Sequence, residues 1–115
     1  MSPKYFVEIV RKVVQEQAVR DSIENLQEPP GRDPDNALLR HGDFYNKLSD
    51  DQKVILEKIL HQTAEMTLFG MLCVIDGVRA IESGKDKGDL ELWYRRGDET
   101  VLLNDPEEEF LHDLL

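Results

Sequence analysis

Residues 66–75 constrain the fold of this chain more than any other stretch. Met66, Leu68, Phe69, Met71, Leu72, Val74 and Ile75 crowd ten positions in which only Thr67, Gly70 and Cys73 are small or polar. The run is about half the length that a bilayer span requires. It continues a segment in which Ile55, Leu56, Ile59, Leu60 and Thr63 share one helical face, opposite Glu57, Lys58, His61, Gln62 and Glu65. On the same 3.6-residue wheel, Leu68, Phe69, Leu72 and Ile75 fall on the side of His61 and Glu65, while Met71 and Val74 prolong the first face. The pattern predicts one long helix, two-sided in its first half and apolar nearly all round in its second. That second half needs cover from two directions.

Ser49-Asp50-Asp51-Gln52 marks the start of this helix. The serine accepts from the third helical N–H, the glutamine reaches back, and the aspartates sit at the positive end. Gly77 is a site for a kink, but Val78, Ala80 and Ile81 keep a helical spacing, so the expected stop is Ser83-Gly84. Ser2-Pro3 is a cap followed by proline at the first helical position and predicts an N-terminal helix to about Leu26. Its apolar stripe of Phe6, Ile9, Val10, Val13 and Val14 jumps, after Gln17, to Val19, Ile23 and Leu26 on nearly the opposite side. Residues 28–43 carry Pro29-Pro30-Gly31, Asp33-Pro34 and Gly42 and read as a loop, with Asp35 and Asp43 each capping a short helical turn. Leu90, Leu92 and Tyr94 alternate with polar neighbours ahead of Gly97-Asp98 and the run Thr100 to Leu103, which predicts a β-hairpin. Asn104-Asp105-Pro106-Glu107 repeats the order of a helix start for a short final helix bearing Phe110, Leu111, Leu114 and Leu115.

At 115 residues with 40% apolar side chains, the expectation is a single domain over residues 1–115. Its class is α+β, mainly helical: an N-terminal helix packed on a long central helix, a C-terminal hairpin and a short final helix. Should the hairpin and end helices be too small to cover the central helix, Leu68, Phe69, Leu72 and Ile75 would complete their burial in a homodimer.

The formal charge of −10 repels phosphate backbones and anionic membranes, so neither nucleic acid nor membrane is an expected partner. The residues after Met1 lack the order of a secretory signal, and the expected location is the cytoplasm. A single cysteine, Cys73, excludes an intrachain disulfide and a thiolate metal cage. From Asp98 to Leu115 there are seven acidic residues and no Lys or Arg, so a charge-steered partner of this end is a basic protein, met by Glu107, Glu108 and Glu109.

The chemical signals are sparse. His61 and Glu65 are one helical turn apart, but His41 and His112 stand at no recognisable ligand spacing, and neither a metal nor a cofactor is expected. Asp76 and Arg79, also one turn apart, read as an ion pair where the helix leaves the core, or as acid/base groups if burial shifts their titration. Ser83-Gly84-Lys85 lacks the glycine spacing and the preceding strand of a phosphate-binding loop.

Leu68-Phe69-Gly70, the run Asp76-Gly77-Val78-Arg79-Ala80-Ile81, the spaced Gly88, Leu90 and Leu92, Leu103-Asn104-Asp105 and Phe110-Leu111-His112-Asp113-Leu114 resemble small uncharacterised bacterial proteins of the domain-of-unknown-function type. The resemblance covers roughly the second half of the chain. It implies a helix-plus-hairpin fold and a bacterial source, and it brings no activity to any residue. Two functional readings follow. The first is a non-catalytic protein-interaction module, an acidic inhibitor or immunity-type protein. The second is a small enzyme or ligand binder using His61, Glu65, Asp76 and Arg79.

Overall fold

The computed structural model describes residues 1–115. In chain order it contains α1 (Pro3–Val10), a π-helical segment (Arg11–Glu16), α2 (Gln17–Gln27), α3 (Asn36–Asn46), α4 (Asp50–Ile75), strands β1 (Trp93–Arg96) and β2 (Glu99–Leu102), and a 3-10 turn (Leu111–Leu114). The protein is α+β and mainly helical, with the expected long central helix and hairpin. No helix is long and apolar enough to cross a membrane. The chain packs as two compact units, one of Met1–Val13 with Met66–Leu115, the other of Val14–Glu65.

In the first unit, Val7 of α1 packs on Leu68 and Leu72 of α4, and Leu111 of the 3-10 turn closes the same cluster. Val7 and Leu111 have no exposed surface, and Leu72 keeps 2%. Full burial of such side chains contributes about 1.5–3 kcal/mol each before entropy is subtracted. Phe6, Leu92 and Leu114 pack around the cluster, so α4 is covered here by α1, the hairpin and the C-terminal turn. Cover is not complete: Phe69 is 41% and Met71 56% exposed.

α1 begins as the sequence implies, with the Ser2 hydroxyl accepting from the Tyr5 N–H and proline at the first helical position. The change of apolar face near Gln17 coincides with the π segment, whose wider turns rephase the side chains while the helix runs on. Arg11 in that segment donates to the carbonyl oxygen of Leu115 at 2.6 Å and ties α1 to the C-terminal turn.

The end of α4 differs from the expected stop at Ser83-Gly84. The helix finishes at Ile75. Gly77 adopts φ +77°, its N–H donates to the Val74 carbonyl at 3.1 Å, and the Val78 N–H reaches back to the Cys73 carbonyl at 3.0 Å. This pairing of one short and one long return bond around a left-handed residue is the Schellman stop, available to glycine at little cost. Val78, Ala80 and Ile81 therefore lie in an exposed irregular segment, despite their helical spacing. A Gly77→Ala change forces an L-residue into the left-handed region and is expected to lower stability by about 1–2 kcal/mol, read as a reduced urea midpoint at unchanged slope.

The hairpin pairs Trp93 with Leu102 and Arg96 with Glu99, antiparallel. Gly97, at φ +57°, is the first of two loop residues, as a type II′ turn requires. One further backbone bond, Leu103 N–H to the Leu92 carbonyl at 2.8 Å, extends the ladder towards the core.

In the second unit α2 packs on α3, with Val19 and Tyr45 buried. The capping box at α4 forms as read: Gln52 N–H donates to the Ser49 hydroxyl at 3.2 Å and Ser49 N–H to the Gln52 side chain at 2.9 Å. Asp35 caps α3 through the Ala37 N–H. The two short turns expected between Asp35 and Leu48 are joined in one helix that passes through Gly42. A Cβ at Gly42 would stand 3.2 Å from the Leu26 carbonyl oxygen and 3.3 Å from the Pro29 ring. Glycine is there for the close approach of α3 to the end of α2, and not as loop punctuation.

Candidate functional site

The most concentrated polar chemistry lies in the first unit, where α4 ends. Asp76 follows the last residue of α4, and its side chain is fully covered. Its carboxylate accepts from three donors on the 3-10 turn. Leu111 N–H donates to Oδ1 at 3.1 Å, His112 N–H to Oδ2 at 2.9 Å, and His112 Nδ1 lies 2.7 Å from Oδ2. Two of these donors are the first N–H groups of the turn, which no residue within it can satisfy. Asp76 thus caps a helical turn 36 residues away in sequence.

The imidazole packs against two aromatic rings. Phe110 stacks on it with ring centroids 5.3 Å apart, and Phe69 meets it edge-on at 5.6 Å. Nε2 faces Asp113 Oδ1 at 3.4 Å, and the ring side chain is 14% exposed. A catalytic histidine oriented by a carboxylate needs its second nitrogen turned towards a substrate or nucleophile. Here the second nitrogen faces another carboxylate.

Asn104 forms a companion knot. Its Nδ2 donates to the carbonyl oxygens of Ile75 at 2.7 Å and Leu90 at 2.8 Å, and its Oδ1 accepts from the Leu92 N–H at 2.8 Å. One side chain thereby joins the last carbonyl of α4 to the segment entering β1. Asn104-Asp105-Pro106-Glu107 does not start the expected helix. Instead Asp105 builds a turn, its carboxylate accepting from the Glu107 N–H at 3.0 Å, and the final helix shortens to the 3-10 turn.

The residues named as candidate acid/base groups each meet a different partner. His61 Nε2 lies 3.8 Å from Glu57 Oε1, one turn back, both side chains being about half exposed, and it is not paired with Glu65. His61 and Glu57 border an open cleft of about 380 Å³ with Glu16, Arg20 and Glu24. Asp76 engages the 3-10 turn and not Arg79, contrary to the expected ion pair. The Arg79 guanidinium crosses over Gly70, where a Cβ would come within 2.5 Å of Nη1. No group of three or more His, Cys, Asp or Glu side chains is arranged to hold a metal ion.

Of the four residues expected to form a dimer face, Leu68 and Leu72 lie inside the first unit's core, Ile75 packs partly against it, and Phe69 is exposed. Glu107, Glu108 and Glu109 are all exposed, and none takes part in an ion pair within the chain. Compared with protein-family models, with curated proteins and with solved structures, the chain matches none.

Proposed function

We propose that this protein is a non-catalytic interaction module which offers an acidic turn to a basic protein partner, as an inhibitor or immunity-type protein does. The observation that carries this reading is the state of Glu107, Glu108 and Glu109. They stand side by side in solvent on a turn pinned by Asp105, whose backbone carbonyl accepts from the Glu108 N–H at 3.0 Å. Three like charges in succession repel one another, and none of the three is in an ion pair within the chain. A basic partner removes that repulsion and gains from the local field, chiefly through a faster encounter.

The Asp76–His112 pair supports the same reading from the other side. The Asp76 carboxylate is taken up by the Leu111 and His112 N–H groups and by His112 Nδ1, and His112 Nε2 lies 3.4 Å from Asp113 Oδ1.

The test is a pulldown from the source lysate at low salt, comparing the native chain with Glu107→Gln/Glu108→Gln/Glu109→Gln. The expected result is a basic protein recovered by the native chain and bound about 10–100-fold more weakly by the variant, the sum of a few charge contacts. Recovery of every partner in equal amount by both would contradict charge-led recognition.

A further inference from the structure

Helix α4 carries an exposed seam at spacings of three and four residues: Gln52, Ile55, Ile59, Gln62, Met66 and Phe69. Ile55 is 57%, Ile59 51% and Met66 66% exposed, although each is a large apolar side chain on a well-formed helix. Single exposed aliphatics are ordinary on protein surfaces, but a run at alternating three- and four-residue intervals is the pattern by which one helix seats against another. Leu56 and Leu60 lie on one border of this broad face and are partly covered, while Gln62 and Phe69 lie on its other border and are exposed.

From this seam we infer that α4 pairs with α4 of a second copy of the chain, antiparallel, about a two-fold axis near residues 60 and 61. Charge selects both the occupant and the direction. Lys58 and Glu65 each precede an apolar seam residue by one position and flank the seam on the same side, seven residues apart. In an antiparallel pair these flanking positions face their own kind across the interface. Lys58 of one copy then meets Glu65 of the other, and the symmetry makes the contact twice. In a parallel pair Lys58 would face Thr63 and Glu65 would face Gly70, with no opposite charge in reach. The seam also matches itself when reversed: Ile55 falls opposite Met66, and Ile59 opposite Gln62. A polar residue in such a seam costs stability but holds the register. The inference is independent of the acidic turn.

The test is analytical ultracentrifugation of the full chain from micromolar to millimolar concentration. The native chain is expected to show a monomer–dimer equilibrium. Ile59→Glu places two charges in the seam and is expected to raise the dimer Kd by at least about 100-fold. Because Ile59 is exposed, the circular dichroism of that variant at low concentration stays native. Lys58→Glu and Glu65→Lys alone each create two like-charge contacts and weaken dimerisation about tenfold. The double swap Lys58→Glu/Glu65→Lys restores it to within about threefold of native. A native chain that stays monomeric throughout, or a double swap no better than its single parents, would overturn the inference.

Discussion

Asp76→Ala is expected to destabilise the protein by about 3–5 kcal/mol, measured as a fall in the free energy of unfolding in urea. The cause is the number of groups it abandons. The Leu111 and His112 N–H groups and His112 Nδ1 all lose the covered carboxylate that accepts them, and alanine leaves room for little else. Each buried donor left unmade costs about 1–3 kcal/mol. Set against a typical total of about 5–15 kcal/mol, the loss brings the chain close to unfolding. Asp76→Asn keeps one oxygen, which serves one of the two backbone donors, and is expected to cost roughly half as much. His112→Ala leaves the two backbone bonds in place and removes the ring between Phe69 and Phe110. A ranking of alanine, then asparagine, then the native residue identifies the carboxylate as a structural cap.

Asn104→Asp tests the second knot more sharply than a truncation does. The shape is nearly unchanged, and the Leu92 N–H keeps an oxygen to donate to. The two donated bonds, however, become a carboxylate oxygen set against the carbonyls of Ile75 and Leu90. Loss of two bonds together with that repulsion is expected to cost about 3–4 kcal/mol. Asn104→Ala, which loses three bonds without adding repulsion, is expected to cost about 2–4 kcal/mol, and thermal unfolding followed by circular dichroism orders the two. Equal tolerance of both substitutions would show that the side chain fills space without tying the segments together.

The local punctuation of this fold is readable in the sequence because each signal is complete within four residues. Ser2-Pro3, Asp35 and the Ser49–Gln52 box all act where they stand. Gly97-Asp98 likewise marks the hairpin turn. Legibility fails where the deciding bond or contact leaves no mark in the apolar spacing. The spacing of Val78, Ala80 and Ile81 continues a helix on paper, but the Schellman bonds around Gly77 stop it, and no periodicity registers a left-handed residue. Gly42 resembles a breaker until α3 is seen against the Leu26 carbonyl. The rephasing after Gln17 is visible as a jump of the apolar stripe, though not as the π segment that produces it.

The same distinction applies to the polar site. Asp76 stands out in the sequence for its position beside the apolar run, but its partners sit 35 and 36 residues on. In the sequence His112 stands at no recognisable ligand spacing, and Asn104 sits in what reads as a helix start. A side chain that satisfies backbone groups of other segments leaves no local pattern, since what it recognises is a set of N–H and C=O groups common to every residue. The sole trace is compositional: an aspartate just past the end of a strongly apolar helix has to find donors somewhere.

Native-state hydrogen exchange at the amides of Leu111, His112 and Leu92 tests most directly whether these side chains clamp the first unit together. All three are expected to exchange only when that unit's core opens, with Leu111 and His112 released by Asp76→Ala and Leu92 released by Asn104→Ala. Exchange in the native chain as fast as that of the exposed turn at Glu107 to Glu109 would mean that the bonds to Asp76 and Asn104 hold nothing in place.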